Sequence, residues 1–411
     1  MTSNNSPFSV KASEFDNTLL VPTSKSFANR ALIIAAITEG PVLIKNMPRS
    51  TDVITMKECL TELGLVIVED GNNLTVQNSF PDCEEVSTHI INLPSGDGGT
   101  TNRFLMPFLA RGKNKYHLNA AGHMRNRPMQ ALTDALQELG VKVKRGEESS
   151  DYWYEIQGPY KELTKKIEVE SSESTQFATG LMLATADTEI AVVAKNMHNS
   201  SSYFAMTEFM ISAFKGDPQN NFTVPVDFSS LSYPLAMGLT SIAVHVKNCT
   251  AIDTYQADSV FIDIIEEIGG RVDIDGIGLK LRGPEKLKAI DRDCSGFPDL
   301  VPTLAYVASQ CNGTSLLKNL SVLRHKESDR VAEVMKVLSA FGVEHSYDEK
   351  SDDLSITGPM KVSEPVDFEP PADHRIIMMA YLFMRMNKGG SLTNHEHVAK
   401  SFPRFFEKMG T

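Results

Sequence analysis

The chain has 411 residues, 41% of them hydrophobic and 22% charged, which is enough for two or three domains with buried cores. With 52 acidic side chains against 40 Lys and Arg, the net charge is −12; this excludes nucleic acid or an anionic membrane as a general partner, so any anion site must be built locally. Five scattered cysteines without a CxxC pair, an N-terminus (MTSNNSPFSVKAS) without an apolar signal core and no run near the roughly 20 apolar residues that span a bilayer predict a cytoplasmic protein without disulfides or zinc.

Along the chain, a short polar group is followed six times by an apolar stretch of helical length. Ser26 to Arg30 precedes ALIIAAI, Thr100 to Arg103 precedes FLMPFLA, and Ser174-Thr175-Gln176 precedes FATGLMLATA. Ser229 to Ser232 precedes YPLAMGLTSIA, Asp299 precedes LVPTLAYVA, and Asp373-His374-Arg375 precedes IIMMAYLFM. The starts lie about seventy residues apart, with one shorter step between the third and the fourth, and a fixed long period means one supersecondary unit reused. Each unit also has an amphipathic second helix ending near a glycine C-cap (CLTELG, ALQELG, FMISAFKG, IIEEIGG, VLSAFG, FFEKMG). Between the two helices lie β-type segments such as GPVLIKN and GTSLLKN, and after most second helices another, such as LVIVED, VKVKRG or RVDIDG. The order per unit reads strand, helix, strand, helix, strand, strand, an α/β pattern. Three units before and three after NNFTVPVDFSS predict two similar domains, 22–228 and 229–411, with segment 1–21 assigned to the second so that the chain crosses twice. The polar first residues read as disordered.

Ser, Thr and Asp cap helices, and helix N-termini carry unsatisfied N–H groups that attract anions. The densest ionisable run is Leu323-Arg324-His325-Lys326-Glu327-Ser328-Asp329-Arg330. Such runs are as a rule solvated faces, but single cations recur at the other helix starts: Lys25 and Arg30 frame the first, and Arg125 and Arg127 precede MQALTDALQELG. GDGGTTNRF (Gly96 to Phe104) leads glycine-rich backbone into a helix, yet matches neither GxxxxGKS nor GxGxxG, which argues against a nucleotide fold. Asp299 in GFPDLVP reads as a helix cap or a base, and the alternating His395 and His397 lack a third ligand, so no metal is expected.

In this order, SKSFANRALIIAA, GDGGTTNRF, RNRPM, SSESTQF, SYF, FPDLVPTLA, LRHKESDR, DHRIIMM and AKSFPRFF resemble the 5-enolpyruvylshikimate-3-phosphate synthases (3-phosphoshikimate 1-carboxyvinyltransferases) from about Ser9 to Lys408. The resemblance implies an enolpyruvyl transferase fold, an inside-out α/β barrel of two domains each with three βαβαββ repeats, and an active site in the cleft between them. It implies transfer of the enolpyruvyl group of phosphoenolpyruvate to the 5-hydroxyl of shikimate 3-phosphate by a monomer needing neither metal nor organic cofactor, with no nucleic acid or membrane partner. By resemblance Lys25, Gly99, Arg127, Gln176, Arg330, Arg375 and Lys400 hold phosphoenolpyruvate. Lys25, Ser26, Arg30, Ser174, Thr175, Gln176, Ser200, Tyr203, Asp299 and Lys326 hold shikimate 3-phosphate. Glu327 is the candidate for moving a proton to and from the methylene carbon, with Lys326 beside it, Asp299 for accepting the hydroxyl proton, and Lys25 for assisting the departing phosphate.

Departures from the family pattern are Asp97 for the usual Asn, Phe104 for a common Pro, Thr23-Ser24 for the usual Gly, Val322 for an Asn of some members and Thr175 for Ser. They bear on affinity more than on reaction class; with Gly99 retained, binding of the phosphoenolpyruvate mimic glyphosate is expected. The related transferase acting on UDP-N-acetylglucosamine carries a cysteine five residues before its Arg-Pro pair, where this chain has Gly122. A carboxyvinyltransferase with another hydroxylated acceptor and a non-catalytic anion-binding relative are the alternatives.

Overall fold

The computed structural model of the chain describes residues 6–161, 163–197, 201–216 and 220–410. The first five residues, read above as disordered, and Ser200 lie outside them. The chain divides into two compact units: an inserted unit, Thr23–Pro225, and a split unit made of Met1–Pro22 with Val226–Thr411. Each has its own hydrophobic core, running from Phe27 to Val224 in the first and from Val10 to Val21 and Phe228 to Met409 in the second.

The inserted unit holds α1 (Lys25–Ile37), α2 (Thr51–Glu62), α3 (Gly99–Leu109), α4 (Gln130–Glu138), α5 (Gln176–Ala184) and α6 (Ser201–Gly216). The split unit holds α7 (Phe228–Thr240), α8 (Val260–Glu267), α9 (Val301–Gln310), α10 (Arg330–Ala340), α11 (His374–Met386) and α12 (Phe405–Lys408). The odd-numbered helices are the six apolar stretches, each starting within two residues of its polar group. They are apolar all round because they are buried all round: every residue from Phe27 to Ile37 of α1 and from His374 to Arg385 of α11 is buried. The even-numbered helices bury a single face, as Val53, Met56 and Leu60 do in α2. Gly64, Gly140, Gly269, Gly342 and Gly410 follow five of these with positive φ, the left-handed C-cap that glycine adopts without strain.

Four sheets share one pattern. In the inserted unit Val42–Lys45 pairs parallel with Asn221–Thr223 and antiparallel with Asn73–Val76, which pairs antiparallel with Ile67–Asp70. Lys115–Ala120 lies in the same way between Ile91–Gly96 and Tyr154–Gln157, with Lys142–Arg145 outermost; its Tyr116, Leu118 and Ala120 face the core. In the split unit Ala243–Val246 and Gly313–Lys318 repeat the arrangement, with Asp16–Leu19 and Asp291–Asp293 as their parallel partners.

The third repeat of each unit departs from the expected order, because no hairpin follows its second helix. In the inserted unit Lys166–Glu170 pairs with Ala191–Lys195 alone, and the strand after α6 joins the first repeat's sheet. In the split unit the chain ends after α12, and the N-terminal strands complete the sheets: Phe8–Val10 pairs with Gly390–Leu392, and Asp16–Leu19 with Ala243–Val246. An open sheet edge is thereby covered by chain already at hand. Among the described residues no helix is long and apolar enough to cross a membrane.

Candidate active site

In the inserted unit the helix starts are tied to one another by polar side chains. Lys25, the first residue of α1, pairs with Asp52 at 2.9 Å. Asp52 sits in the first turn of α2, where the helix's positive end favours a carboxylate, and its carbonyl accepts from Thr101 Oγ1 of α3 at 3.2 Å. Neither Gly98 before α3 nor Thr175 before α5 supplies a side-chain cap; at α5 the Gln176 N–H donates to Ser174 Oγ at 3.3 Å. A Cβ on Gly99 would lie 2.4 Å from Arg127 Nη1 and 3.3 Å from Gln176 Oε1, so only glycine admits the guanidinium at that point. Arg127, at the end of the 3-10 helix Gly122–Asn126, keeps Nε buried and without a partner among the described residues.

Arg103, 1% exposed, organises this end of the unit. Its Nη1 donates to Ser174 Oγ at 3.1 Å and Gln176 Oε1 at 2.9 Å, and its Nη2 to the Pro128 carbonyl at 3.0 Å. Gln176 Nε2 in turn donates to Thr100 Oγ1 at 3.1 Å. Arg30 is also buried, and its donors meet neutral acceptors: Thr207 Oγ1 (2.7 Å), the Ser26 carbonyl (2.9 Å) and the Tyr203 carbonyl (3.0 Å). With no carboxylate beside it among the described residues, burial draws its pKa down to about 10.

The split unit gathers acids with its cations. Arg330, 1% exposed, commits four of its five N–H donors to three carboxylates. Nε reaches Asp373 Oδ2 at 2.8 Å, Nη1 reaches Asp299 Oδ1 at 2.8 Å, and Nη2 reaches Glu327 Oε2 at 2.6 Å and Asp373 Oδ1 at 3.3 Å. Arg375 donates to Asp299 Oδ2 at 3.0 Å and to the Asp299 carbonyl at 3.1 Å. Lys326 Nζ lies 3.4 Å from Asp299 Oδ1, and Glu327 pairs with Arg330. Burial alone would raise the Asp299 carboxyl, but Arg375, Lys326 and Arg330 overcome it and hold the group well below the usual carboxylate range. Asp373, fully buried, also caps α11 through the Arg375 N–H at 3.0 Å and accepts from Ser328 Oγ at 3.0 Å. Lys400 is buried at the end of the 3-10 helix His395–Lys400. The ring of His395 packs against Phe8 at 5.4 Å.

Four residues without a site role in the sequence reading belong to these clusters: Asp52, Arg103, Asp373 and Asp258. Asp258, 2% exposed, accepts from Ser229 Oγ, leaves Oδ1 without a partner among the described residues, and is raised to about 7 by burial and by the charge of Asp299. Arg103 and Asp373 stood in recognisable motifs and needed only a partner. Asp258, in TYQADS, carries no signal that pattern reading can use.

Buried core helices, each followed by an amphipathic one and starting beside a cluster of ionisable side chains, form an α/β scaffold that solved structures share. The fold matches EPSP synthase from Acinetobacter baumannii with a TM-score of 0.74 over 98% of this chain and 97% of that one, at 23% identity. It matches the enolpyruvyl transferase NikO from Streptomyces tendae with a TM-score of 0.75 over the same shares, at 15% identity. The family model EPSP synthase (3-phosphoshikimate 1-carboxyvinyltransferase) matches residues 10–409, and the chain belongs to that family. A 3-phosphoshikimate 1-carboxyvinyltransferase of Thermococcus kodakarensis is 32% identical over 95% of this chain and 96% of its own length. One of Syntrophobacter fumaroxidans is 30% identical over 95% of both.

Proposed function

We propose that the chain transfers the enolpyruvyl group of phosphoenolpyruvate to the 5-hydroxyl of shikimate 3-phosphate, releasing phosphate, in the shikimate pathway to aromatic amino acids. The observation that carries this reading is the unneutralised cation set of the inserted unit, Arg30 and Arg127 beside helix starts without acidic caps, in a chain of this family. Two substrates with two phosphates and two carboxylates between them require such a set.

Lys25, Gly99, Arg127, Gln176, Arg330, Arg375 and Lys400 hold phosphoenolpyruvate. Lys25, Ser26, Arg30, Ser174, Thr175, Gln176, Ser200, Tyr203, Asp299 and Lys326 hold shikimate 3-phosphate. The acceptor oxygen attacks C2 of phosphoenolpyruvate while its methylene carbon gains a proton from Glu327. The hydroxyl proton passes to Asp299. The tetrahedral adduct then loses phosphate, with Lys25 neutralising the leaving group, and Glu327 takes back one methyl proton to leave the enolpyruvyl ether. Asp299 is a weak base while three cations hold it. Anionic substrates compete for those cations, and its basicity rises as they bind. The reading takes the enzyme as a cytoplasmic monomer, in keeping with five free cysteines.

The deciding assay is phosphate release from phosphoenolpyruvate with and without shikimate 3-phosphate. Release dependent on both is expected, and release dependent on another hydroxylated acid would replace the acceptor. Glu327→Gln is expected to lower kcat about 10²- to 10⁴-fold with binding of both substrates retained by calorimetry; undiminished turnover would remove Glu327 from the mechanism.

A further inference from the structure

The side chain of Phe104, at the second turn of α3, is fully buried. Its ring faces the Arg30 guanidinium, with Cζ 5.2 Å from the ring centroid; the Tyr203 ring lies 6.0 Å from the same group. Arg30 is itself 2% exposed, and its three hydrogen bonds end on a hydroxyl and two carbonyls, none of which carries charge. A cation taken out of water is normally kept by a carboxylate, which also cancels it. An aromatic face acts differently. Its quadrupole attracts the guanidinium, more strongly once both are desolvated, yet leaves the full positive charge in place.

We propose that Phe104 is a positioning residue for the acceptor: its ring seats the Arg30 guanidinium while leaving the charge uncancelled for an anionic group of that substrate. The identity of the acceptor rests on the function proposed above; the seating of an anion by Arg30 and Phe104 does not. The effect is on binding of one substrate rather than on the chemical step, because the ring faces Arg30, which takes no part in the proton transfers proposed above.

The test compares Phe104→Leu, which removes the ring, with Phe104→Tyr, which keeps its face. Phe104→Leu is expected to raise KM for shikimate 3-phosphate about three- to thirtyfold, with kcat and KM for phosphoenolpyruvate within about twofold of the parent, and Phe104→Tyr to restore most of the loss. Equal rises in both KM values, or a fall in kcat alone, would overturn the proposal, since a merely structural residue would act in that way. Should Phe104→Leu give no cooperative melt, Phe104→Met, closer in volume, is read in its place. A second measurement needs no turnover. Inorganic phosphate should raise the melting temperature of the parent with a midpoint concentration that Phe104→Leu shifts upward about three- to thirtyfold. An unshifted midpoint sinks the seating role, whereas absent turnover with a shifted midpoint sinks only the assignment of the acceptor.

Discussion

In the inserted unit Lys25, Arg30, Arg103 and Arg127 gather near helix starts, Lys25 paired with Asp52, and neither Gly98 before α3 nor Thr175 before α5 caps its helix through a side chain. In the split unit Lys326, Arg330 and Arg375 meet Asp299, Glu327 and Asp373, and Asp227 and Asp373 cap α7 and α11 themselves. The two four-stranded sheets of each unit share one strand pattern. One repeat, built six times, therefore supports different electrostatics: a buried Arg30 held by neutral acceptors in one unit and a network of paired charges in the other. Helix ends attract anions in both, but where the chain supplies its own carboxylate the end is already satisfied. The first arrangement suits binding and the second suits proton transfer, because acids held among cations can exchange partners when a charged substrate arrives.

The comparison breaks most sharply at its two buried arginines. Arg330→Met takes from Asp373 and Glu327 the guanidinium that pairs with them, leaves Asp299 with Arg375 and Lys326, and is expected to lower stability by about 3–5 kcal/mol. Arg30→Met removes a cation that burial opposes, so the ligand-free protein should be no less stable than its parent while binding of shikimate 3-phosphate is lost. Chemical denaturation of both variants checks the pair. Equal destabilisation would mean that the two units do not differ in this respect.

A smaller effect is expected at Gly99. The Cβ of Gly99→Ala would meet Arg127 Nη1 at 2.4 Å and push the guanidinium aside, raising KM for phosphoenolpyruvate about tenfold with an unchanged melting temperature. The same variant should respond less to glyphosate, in proportion to the weaker phosphoenolpyruvate binding. An unaltered KM would detach Gly99 and Arg127 from that substrate.

The subtlest contrast is the pH dependence carried by one buried acid of the split unit. Asp258 titrates at about 7 when folded, raised by burial and then by Asp299, and near 3.9 when unfolded. Between these values the folded chain keeps a proton that the unfolded chain has lost. This contribution therefore falls as pH rises from about 4 to 7 and levels off above, by at most about 4 kcal/mol. Asp258→Asn does not titrate and can still accept from Ser229, so its stability relative to the parent should be greater at pH 8 than at pH 5. Denaturation curves that stay parallel at the two pH values would show that Asp258 carries no buried proton.

The repeat was legible because both of its signals are local. An apolar run such as IIMMAYLFM can only be a buried helix, and a polar group with Ser, Thr or Asp before it can only be that helix's start. Asn46 and Asn319, after the strands Val42–Lys45 and Gly313–Lys318, mark turns in the same way, by adopting the left-handed backbone that few other residues accept. The fates of the third repeats were not legible. Whether a hairpin or a strand from elsewhere closes a sheet depends on which chain segment is near in space, and Phe8–Val10 and Asp16–Leu19 show no local preference for the partners they take.

For the site, the sequence by itself determined which residue types stand at the helix starts, and with them that anions and proton transfer are the chemistry at hand. Only the tertiary structure decided which charges cancel. Arg30 and Arg330 are both arginines near a helix start, and neither motif shows which groups will surround the guanidinium. One lies against the ring of Phe104 and keeps its charge; the other is surrounded by Asp299, Glu327 and Asp373. Charge compensation follows from distances of a few ångströms between residues far apart in the chain, and Coulomb energies in a low-dielectric interior are set by those distances alone.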